Sequence, residues 1–112
     1  MKEKFAAAFR GLACGLHHRS IAVQFILAVL AITAGFILHL TTTEWVAVVI
    51  CIGMVISAEI LNTCVEKLCD LYSTSYSGRI KEIKDLAAAA VLAASIASLI
   101  VALVILFSHL GG

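Results

Sequence analysis

The chain has 112 residues, of which 62% are hydrophobic and 13% charged, and it contains no proline. Soluble domains are typically about 45–50% apolar, so this composition excludes an ordinary soluble domain and indicates a small membrane protein with several spans. The formal net charge is only +1, so the positions of the charges are more informative than their sum.

The first third of the chain predicts a surface helix followed by a membrane span. Residues 1–18 place apolar side chains at helical spacings beside basic residues, which is typical of an amphipathic helix lying in the membrane interface. Residues 20–41 form the first predicted span, because this stretch is almost entirely apolar and long enough to cross a hydrocarbon core of about 30 Å. Its few polar side chains include Gln24 near the start and Thr33 in the middle.

The rest of the chain predicts two more spans within a single membrane domain, residues 1–112. The threonine-rich connection before Glu44 predicts a helix N-cap and a tight antiparallel hairpin. The second predicted span covers 45–72, and the polar stretch 73–83 is predicted as a cytoplasmic loop whose residues 73–78 are typical of a turn. The third span covers 84–109, and the alanines and serines of its first half predict a helix contact surface.

The basic residues predict the orientation of these spans. All eight lie before the first apolar run or between the second apolar run and the third: Lys2, Lys4, Arg10, Arg19, Lys67, Arg79, Lys81 and Lys84. The positive-inside rule therefore puts the N-terminus and the second connection in the cytoplasm, and the first connection and the C-terminus outside.

Four polar residues near the end of the second span fall on one face of a helix. At about 100° per residue, Asn62, Glu66 and Asp70 lie within an arc of about 80° that also contains Glu59. Such a face is costly toward lipid, and polar groups inside a span are a functional-site hypothesis. A rise of about 1.5 Å per residue from Trp45 places Glu59 about 10 Å below the cytoplasmic surface, and Glu66 and Asp70 at that surface. One acid is therefore placed for a lipid headgroup and the others for a solute in the cytoplasm.

This constellation matches the needs of phosphoryl transfer, although the residues alone leave a second interpretation open. Carboxylates can hold a metal ion or deprotonate an acceptor hydroxyl, and a lysine can bind phosphate oxygens. The chain has neither a P-loop nor the motifs of protein kinases. Acids on one face of a membrane helix also suit a small oligomeric proton or cation transporter, but residues 46–56 are wholly apolar and offer no polar path to the outer surface.

Two stretches carry a resemblance to a known family. They read Glu59-Ile-Leu-Asn-Thr-x-x-Glu66-x-x-x-Asp70 and Lys84-Asp85-x-Ala-Ala-x-Ala-Val-Leu, and the earlier Ala8-Phe9-Arg10-Gly11-Leu12 fits the same pattern. The chain resembles the small prokaryotic integral-membrane diacylglycerol kinase family, which includes undecaprenol kinases. The likeness covers nearly the whole chain and is most specific over 59–92.

The resemblance implies an all-α fold: a homotrimer of three-span subunits, each with an N-terminal surface helix, in the bacterial inner membrane. It implies an ATP-dependent lipid kinase that phosphorylates diacylglycerol or undecaprenol at the cytoplasmic leaflet with Mg²⁺, and no nucleic-acid partner. The roles it implies are Glu59 as catalytic base, Glu66 as metal and nucleotide ligand, Lys84 and Asp85 as nucleotide contacts, and Asn62 and Asp70 as residues that shape the site. Gln24 is expected to face the bundle and line the substrate cleft with Glu59.

The chain departs from the family pattern at two positions. The family usually has a metal-binding glutamate after the surface helix, where this chain has Arg19, or His18 after a shift of one residue. The family also commonly has a histidine near the nucleotide, where this chain has Ser77. A third interpretation is therefore a catalytically silent member that binds lipid or nucleotide without turnover.

Overall fold

The computed structural model describes residues 2–72 and 78–111, which form four α-helices with no strand among them. Helix α1 is Lys2–Gly15, α2 is Arg19–Leu38, α3 is Thr42–Tyr72 and α4 is Gly78–Leu110. The last three are long and apolar enough to cross a membrane. The predicted all-helical architecture of three spans after one shorter helix is thus confirmed.

Helix α4 begins at Gly78, within the stretch that the sequence assigned to the cytoplasmic loop. Its first turns are charged, and Lys81 Nζ lies 2.6 Å from Asp85 Oδ2, one turn further along. Such i,i+4 pairs support a helix in water, so α4 extends past the apolar segment from which the span was predicted. The predicted turn residues 73–77 lie outside the described part of the chain.

The bundle has α3 in the middle, because α3 packs against both α2 and α4. Few of the described residues are buried. Those on the three long helices are small or aliphatic apart from one acid and one cysteine: Ile21, Ala28, Gly35, Val55, Glu59, Cys69 and Ala94. Small residues let membrane helices approach closely, and Ala94 lies in the alanine-rich half of α4 that predicted a contact surface. Large apolar side chains cover much of the exterior, as a surface facing hydrocarbon requires.

Helix α1 presents its aromatic and aliphatic side chains outward. Phe5 and Phe9 are 62% and 69% exposed, and Leu12 and Leu16 are also exposed. Only Gly15 is buried, where α1 ends next to Ile21. A helix with an uncovered apolar stripe is suited to the membrane interface, where we predict that α1 lies.

The connection between α2 and α3 is a short, hydrogen-bonded hairpin. His39 adopts the left-handed conformation (φ 56°) after α2, and the backbone N–H of Leu40 donates to the Gly35 carbonyl at 3.3 Å. Thr41 and Glu44 then form a capping box, with Thr41 N–H donating to Glu44 Oε1 at 2.9 Å and Glu44 N–H donating to Thr41 Oγ1 at 3.2 Å. The predicted threonine N-cap is confirmed, and it fixes where α3 begins.

Trp45 fills the inside of this hairpin and leaves no room beside Gly35. Its ring centroid lies 4.9 Å from that of Phe36, and a Cβ added at Gly35 would come within 2.6 Å of Trp45 Cη2. We expect Gly35→Ala to reduce the free energy of unfolding by about 1–3 kcal/mol, because the indole ring must shift to admit the methyl group. Thermal unfolding in detergent micelles measures this loss.

Gly11→Ala is the control for that experiment, since nothing lies within 4 Å of the Cβ it would add. Alanine also favours a helix more than glycine, so Gly11→Ala is expected to be neutral or slightly stabilising. Equal behaviour of the two variants would contradict the packing of Trp45 against Gly35.

Polar contacts join α3 to α4 at both ends. At the end near the hairpin, His109 Nε2 lies 3.0 Å from Glu44 Oε1, and Ser108 Oγ, which donates to the Ile105 carbonyl at 2.9 Å, lies 3.5 Å from Glu44 Oε2. At the opposite end, Lys84 Nζ lies 2.9 Å from Asp70 Oδ1. These contacts set the antiparallel register of the two helices, which decides the level at which every residue between them lies.

Candidate functional site

The polar face predicted on the second span lies on one unbroken helix. Helix α3 continues from Thr42 to Tyr72, so Glu59, Asn62, Glu66 and Asp70 keep the spacing that places them on one side. Burial decreases along this face toward the end of the helix, because Glu59 is buried, Asn62 is half-buried, and Glu66 and Asp70 are exposed. The face therefore runs from the bundle interior to its surface.

Glu59 is the one buried charged side chain among the described residues, and it is 8% exposed. It follows Val55 by one helical turn, and Val55 is buried on the same side of α3. Its carbonyl oxygen accepts a hydrogen bond from Thr63 Oγ1 at 3.0 Å. A carboxyl group kept away from bulk water at this position is suited to exchange a proton with a neighbouring hydroxyl.

Asn62 lies between the buried acid and the exposed one on this face, and it contacts the exposed one. Its Nδ2 donates to Glu66 Oε1 at 3.1 Å, which fixes the Glu66 side chain one turn further along the helix. Its Oδ1 is buried, and no atom of the described residues donates to it. Buried polar atoms in proteins nearly always have a partner, so this oxygen is an acceptor that the described residues leave open.

Lys84 is brought to this face from α4. Its ammonium group lies 2.9 Å from Asp70 Oδ1, although 14 residues separate the two along the chain. The Lys84 side chain is 38% exposed, so it can still bind a ligand while Asp70 orients it. The predicted residues Glu59, Asn62, Glu66, Asp70 and Lys84 thus form one continuous strip.

Asp85 lies apart from that strip. Its carboxylate pairs with Lys81 within α4 at 2.6 Å, and both residues line a shallow pocket of about 320 Å³ with Glu82. The sequence analysis used Lys81 only for the orientation of the spans and missed this pairing. The i,i+4 spacing of Lys81 and Asp85 was the signal that pointed to it.

Gln24 lies on α2 and faces the bundle. It is half-buried and lines a partly open groove of about 380 Å³ between α2, α3 and α4. Ile56 of α3 lines the same groove three residues before Glu59, whereas Glu59 itself does not line it. Thr33 lies elsewhere, where its hydroxyl donates to the Val29 carbonyl of its own helix at 2.9 Å.

The residues at the surface end of the strip fit a metal ion that arrives with a nucleotide. No group of three or more His, Cys, Asp or Glu side chains that could hold a metal ion occurs in residues 2–72 and 78–111. Mg²⁺ bound to nucleotide phosphates keeps several waters and needs only one or two protein carboxylates, and Glu66, held by Asn62, offers one. Among residues 2–72 and 78–111, Glu66 is therefore a carboxylate that could bind a nucleotide-bound Mg²⁺.

The junction of α1 and α2 contributes no acid. His18 caps α2 with extended backbone angles (φ −89°, ψ 127°) and makes no side-chain cap hydrogen bond, and Arg19 is the first residue of the helix. Ser77, the other position at which the chain departs from the family pattern, lies outside the described residues.

Comparison with known proteins agrees with the motifs. The family model described as prokaryotic diacylglycerol kinase matches residues 6–106. The chain is also 36% identical over 76 residues to an undecaprenol kinase of Bacillus subtilis (strain 168), a match that covers 68% of this chain. The match spans 62% of the length of that relative. A three-span helical chain whose family match covers nearly its whole length belongs to the prokaryotic diacylglycerol kinase family.

Proposed function

We propose that this protein transfers the γ-phosphoryl group of ATP to the hydroxyl group of a membrane lipid alcohol. The observation that carries the proposal is the strip from buried Glu59 to exposed Lys84, which joins an acid inside the bundle to a cation at its surface. A lipid hydroxyl can contact the acid inside the bundle, and a nucleotide in solution can contact the cation at the surface. Membership of the family and the name of the relative support the same activity.

Each residue of the strip has a role in this reaction. Glu59 accepts the proton of the lipid hydroxyl while the oxygen of that hydroxyl attacks the γ-phosphorus. The bond between the γ-phosphorus and the bridging oxygen then breaks, and ADP leaves. Lys84 binds phosphate oxygens, Asp85 contacts the nucleotide from α4, and Gln24 borders the acceptor. Asn62 and Asp70 hold Glu66 and Lys84 by the hydrogen bonds described above.

Glu66, held by Asn62, is the residue that would bind the Mg²⁺ of the nucleotide, and this ion would neutralise charge on the phosphoryl oxygens. Neither Arg19 nor His18 can supply a second carboxylate from the start of α2. We infer that activity consequently depends on a higher Mg²⁺ concentration than in family members with a glutamate there.

We infer that the working form is a homotrimer in the bacterial inner membrane. The buried Oδ1 of Asn62, to which no described residue donates, and the exposure of Glu66 support a site that a neighbouring subunit completes. The clusters of basic residues support a cytoplasmic position for the N-terminus and for the α3–α4 connection, with the C-terminus outside. Phosphoryl transfer would then take place at the cytoplasmic leaflet, where ATP is available.

The decisive experiment offers labelled Mg-ATP to the purified protein in mixed micelles, with diacylglycerol and undecaprenol as parallel acceptors. We expect label in the lipid fraction, and undecaprenol is the first acceptor to test because the curated relative is an undecaprenol kinase. Glu59→Gln is the control for transfer that depends on this site. A well-folded oligomer that labels neither lipid would overturn the proposal and leave a binding role.

Removing the Asp70–Lys84 pair is expected to change the kinetics less than replacing Glu59, and to change mainly the KM for ATP. We expect Asp70→Asn to raise the KM for ATP about two- to fivefold with little change in kcat, because an exposed ion pair contributes about 0.2–1 kcal/mol. Steady-state kinetics at varied ATP concentration measure this split between KM and kcat.

A double variant tests whether Asp70 acts through Lys84. If it does, Asp70→Asn adds no further loss to Lys84→Met, because the group that it positions is already absent. Additive losses in the double variant would mean that Asp70 contacts the nucleotide by itself.

A further inference from the structure

Lys81 is a charged residue of α4 to which the proposed function gives no role, and its ammonium group is fixed on Asp85. Lys81 Nζ donates to Asp85 Oδ2 at 2.6 Å. The two side chains are 59% and 63% exposed, and exposed ion pairs contribute little to stability. Replacing Lys81 should therefore leave the fold intact, so that an effect on nucleotide binding can be measured by itself.

The Lys81–Asp85 pair lies beside Lys84 on α4. At about 100° per residue, Lys81 and Asp85 lie about 60° and 100° around the helix from Lys84, in the same direction. Along the helix axis, Lys81 precedes Lys84 by about 4.5 Å and Asp85 follows it by about 1.5 Å. Lys81 and Asp85 line the shallow pocket of about 320 Å³, and Lys84 does not. A nucleotide whose phosphates bind Lys84 can therefore place its adjoining group in that pocket.

The carboxylate of Asp85 can bind only a group that donates hydrogen bonds. An ionised carboxylate accepts hydrogen bonds and repels phosphate oxygens. The ribose hydroxyl groups are the donors of a nucleotide that lie nearest to its phosphates, and carboxylates bind ribose hydroxyls in dinucleotide sites. Within residues 2–72 and 78–111, the hydrogen bond from Lys81 to Oδ2 is the one that the Asp85 side chain accepts, so Oδ1 can accept from a hydroxyl.

We propose that Lys81 is a positioning residue, which holds Asp85 as the acceptor for a ribose hydroxyl of the nucleotide. This inference rests on the proposed function, in which Lys84 binds phosphate oxygens and Asp85 contacts the nucleotide. Lys81 fixes the orientation of the Asp85 carboxylate, and its positive charge offsets the charge of that carboxylate next to the triphosphate. The pair thereby gives the site a preference for ribonucleotides over deoxyribonucleotides.

The first test compares ATP with 2′-deoxy-ATP and 3′-deoxy-ATP as phosphoryl donors. We expect the KM of the wild-type protein to be about three- to tenfold higher for at least one deoxynucleotide than for ATP, the effect of losing one hydrogen bond. Asp85→Ala is expected to raise the KM for ATP to the value for that deoxynucleotide. Lys81→Met is expected to reduce the ratio of the two KM values to about twofold or less, and its loss falls on KM and not on kcat.

Lys81→Arg and Arg79→Met distinguish positioning from a general effect of charge. Arginine can still donate to the Asp85 carboxylate, so Lys81→Arg should keep the wild-type ratio of KM values. Arg79→Met removes an exposed positive charge from the same end of α4, but Arg79 does not line the pocket, so this variant should also keep the ratio. Equal ratios in Arg79→Met and Lys81→Met would overturn the proposal.

A second readout needs no lipid acceptor. Labelled β,γ-methylene-ATP is bound with Mg²⁺ to the purified protein in micelles, and ATP or a deoxynucleotide is added to displace it. From the wild-type protein, we expect ATP to displace the label at a concentration about three- to tenfold lower than the discriminated deoxynucleotide does. From Lys81→Met, we expect the two to displace it at nearly equal concentrations.

The outcomes separate this inference from the proposed function. Absence of lipid labelling, together with a ribose preference in displacement that depends on Lys81, would refute the kinase and support the ribose contact. Lipid labelling with equal KM values for ATP and both deoxynucleotides, or with the wild-type ratio in Lys81→Met, would overturn the role of Lys81 alone. A preference lost in Glu82→Gln but kept in Asp85→Ala would also overturn it, because the other acid of the pocket would then bind the ribose. Absence of both lipid labelling and nucleotide displacement would overturn both proposals.

Discussion

Replacing Glu59 with glutamine is expected to reduce kcat for phosphoryl transfer to the lipid alcohol about 10³-fold. The amide has nearly the same shape as the carboxylate but cannot accept the proton of the acceptor hydroxyl, and general base catalysis typically contributes about 10²–10⁴-fold. Only 8% of Glu59 is exposed, so bulk water has little access to replace it as a base. The KM for ATP should change little, because the role proposed for Glu59 is toward the lipid hydroxyl and not toward the nucleotide.

The measurement is steady-state transfer of label from ATP to lipid in mixed micelles, with both substrates varied. Glu3→Gln is a suitable control, because it neutralises an exposed acid in the first turn of α1, away from the strip. A Glu59→Gln variant that keeps its kcat and shows only a raised KM for ATP would contradict the role of Glu59 as base.

The single-helix part of the site was predictable from the sequence because it depends only on local geometry. The 3.6-residue period places Glu59, Asn62, Glu66 and Asp70 on one face whatever α3 packs against. The same period explains why Glu59 is buried with Val55. The depth argument from Trp45 likewise requires only the rise per residue along α3, and the membrane depth that it gives for Glu59, Glu66 and Asp70 stays a prediction.

Contacts between helices were not predictable in the same way. The Asp70–Lys84 pair and the contact of Glu44 with His109 depend on the register of α3 and α4, and the connection that determines it offers no sequence rule. Glu44 was expected only to cap α3, and its pairing with a residue 65 positions away had no local signal. The start of α4 at Gly78 was missed for a different reason, because apolar length marks the membrane span and not the charged turns that precede it.

Lys84 is the second residue whose replacement is expected to reduce kcat strongly, because the register of α3 and α4 brings its ammonium group to the polar strip. In Lys84→Met the aliphatic stem is retained while the ammonium group next to Asp70 is lost. We expect kcat to fall about 10²-fold, because charge that develops on the phosphoryl oxygens loses a preorganised cation. The KM for ATP should rise in the same variant, since Lys84 also binds the ground-state phosphates.

Lys84→Arg and Lys67→Met distinguish this role from a general effect of charge. Arginine keeps the charge but spreads it over a planar group that cannot occupy the same position beside Asp70, so an intermediate loss is expected. Lys67 is an exposed cation near the end of α3 that carries Asp70, and its replacement should leave both kcat and the KM for ATP unchanged within error. If Lys67→Met and Lys84→Met were equally impaired, the basic residues would act through the surface potential of the membrane, and Lys84 would have no specific contact with the transferred group.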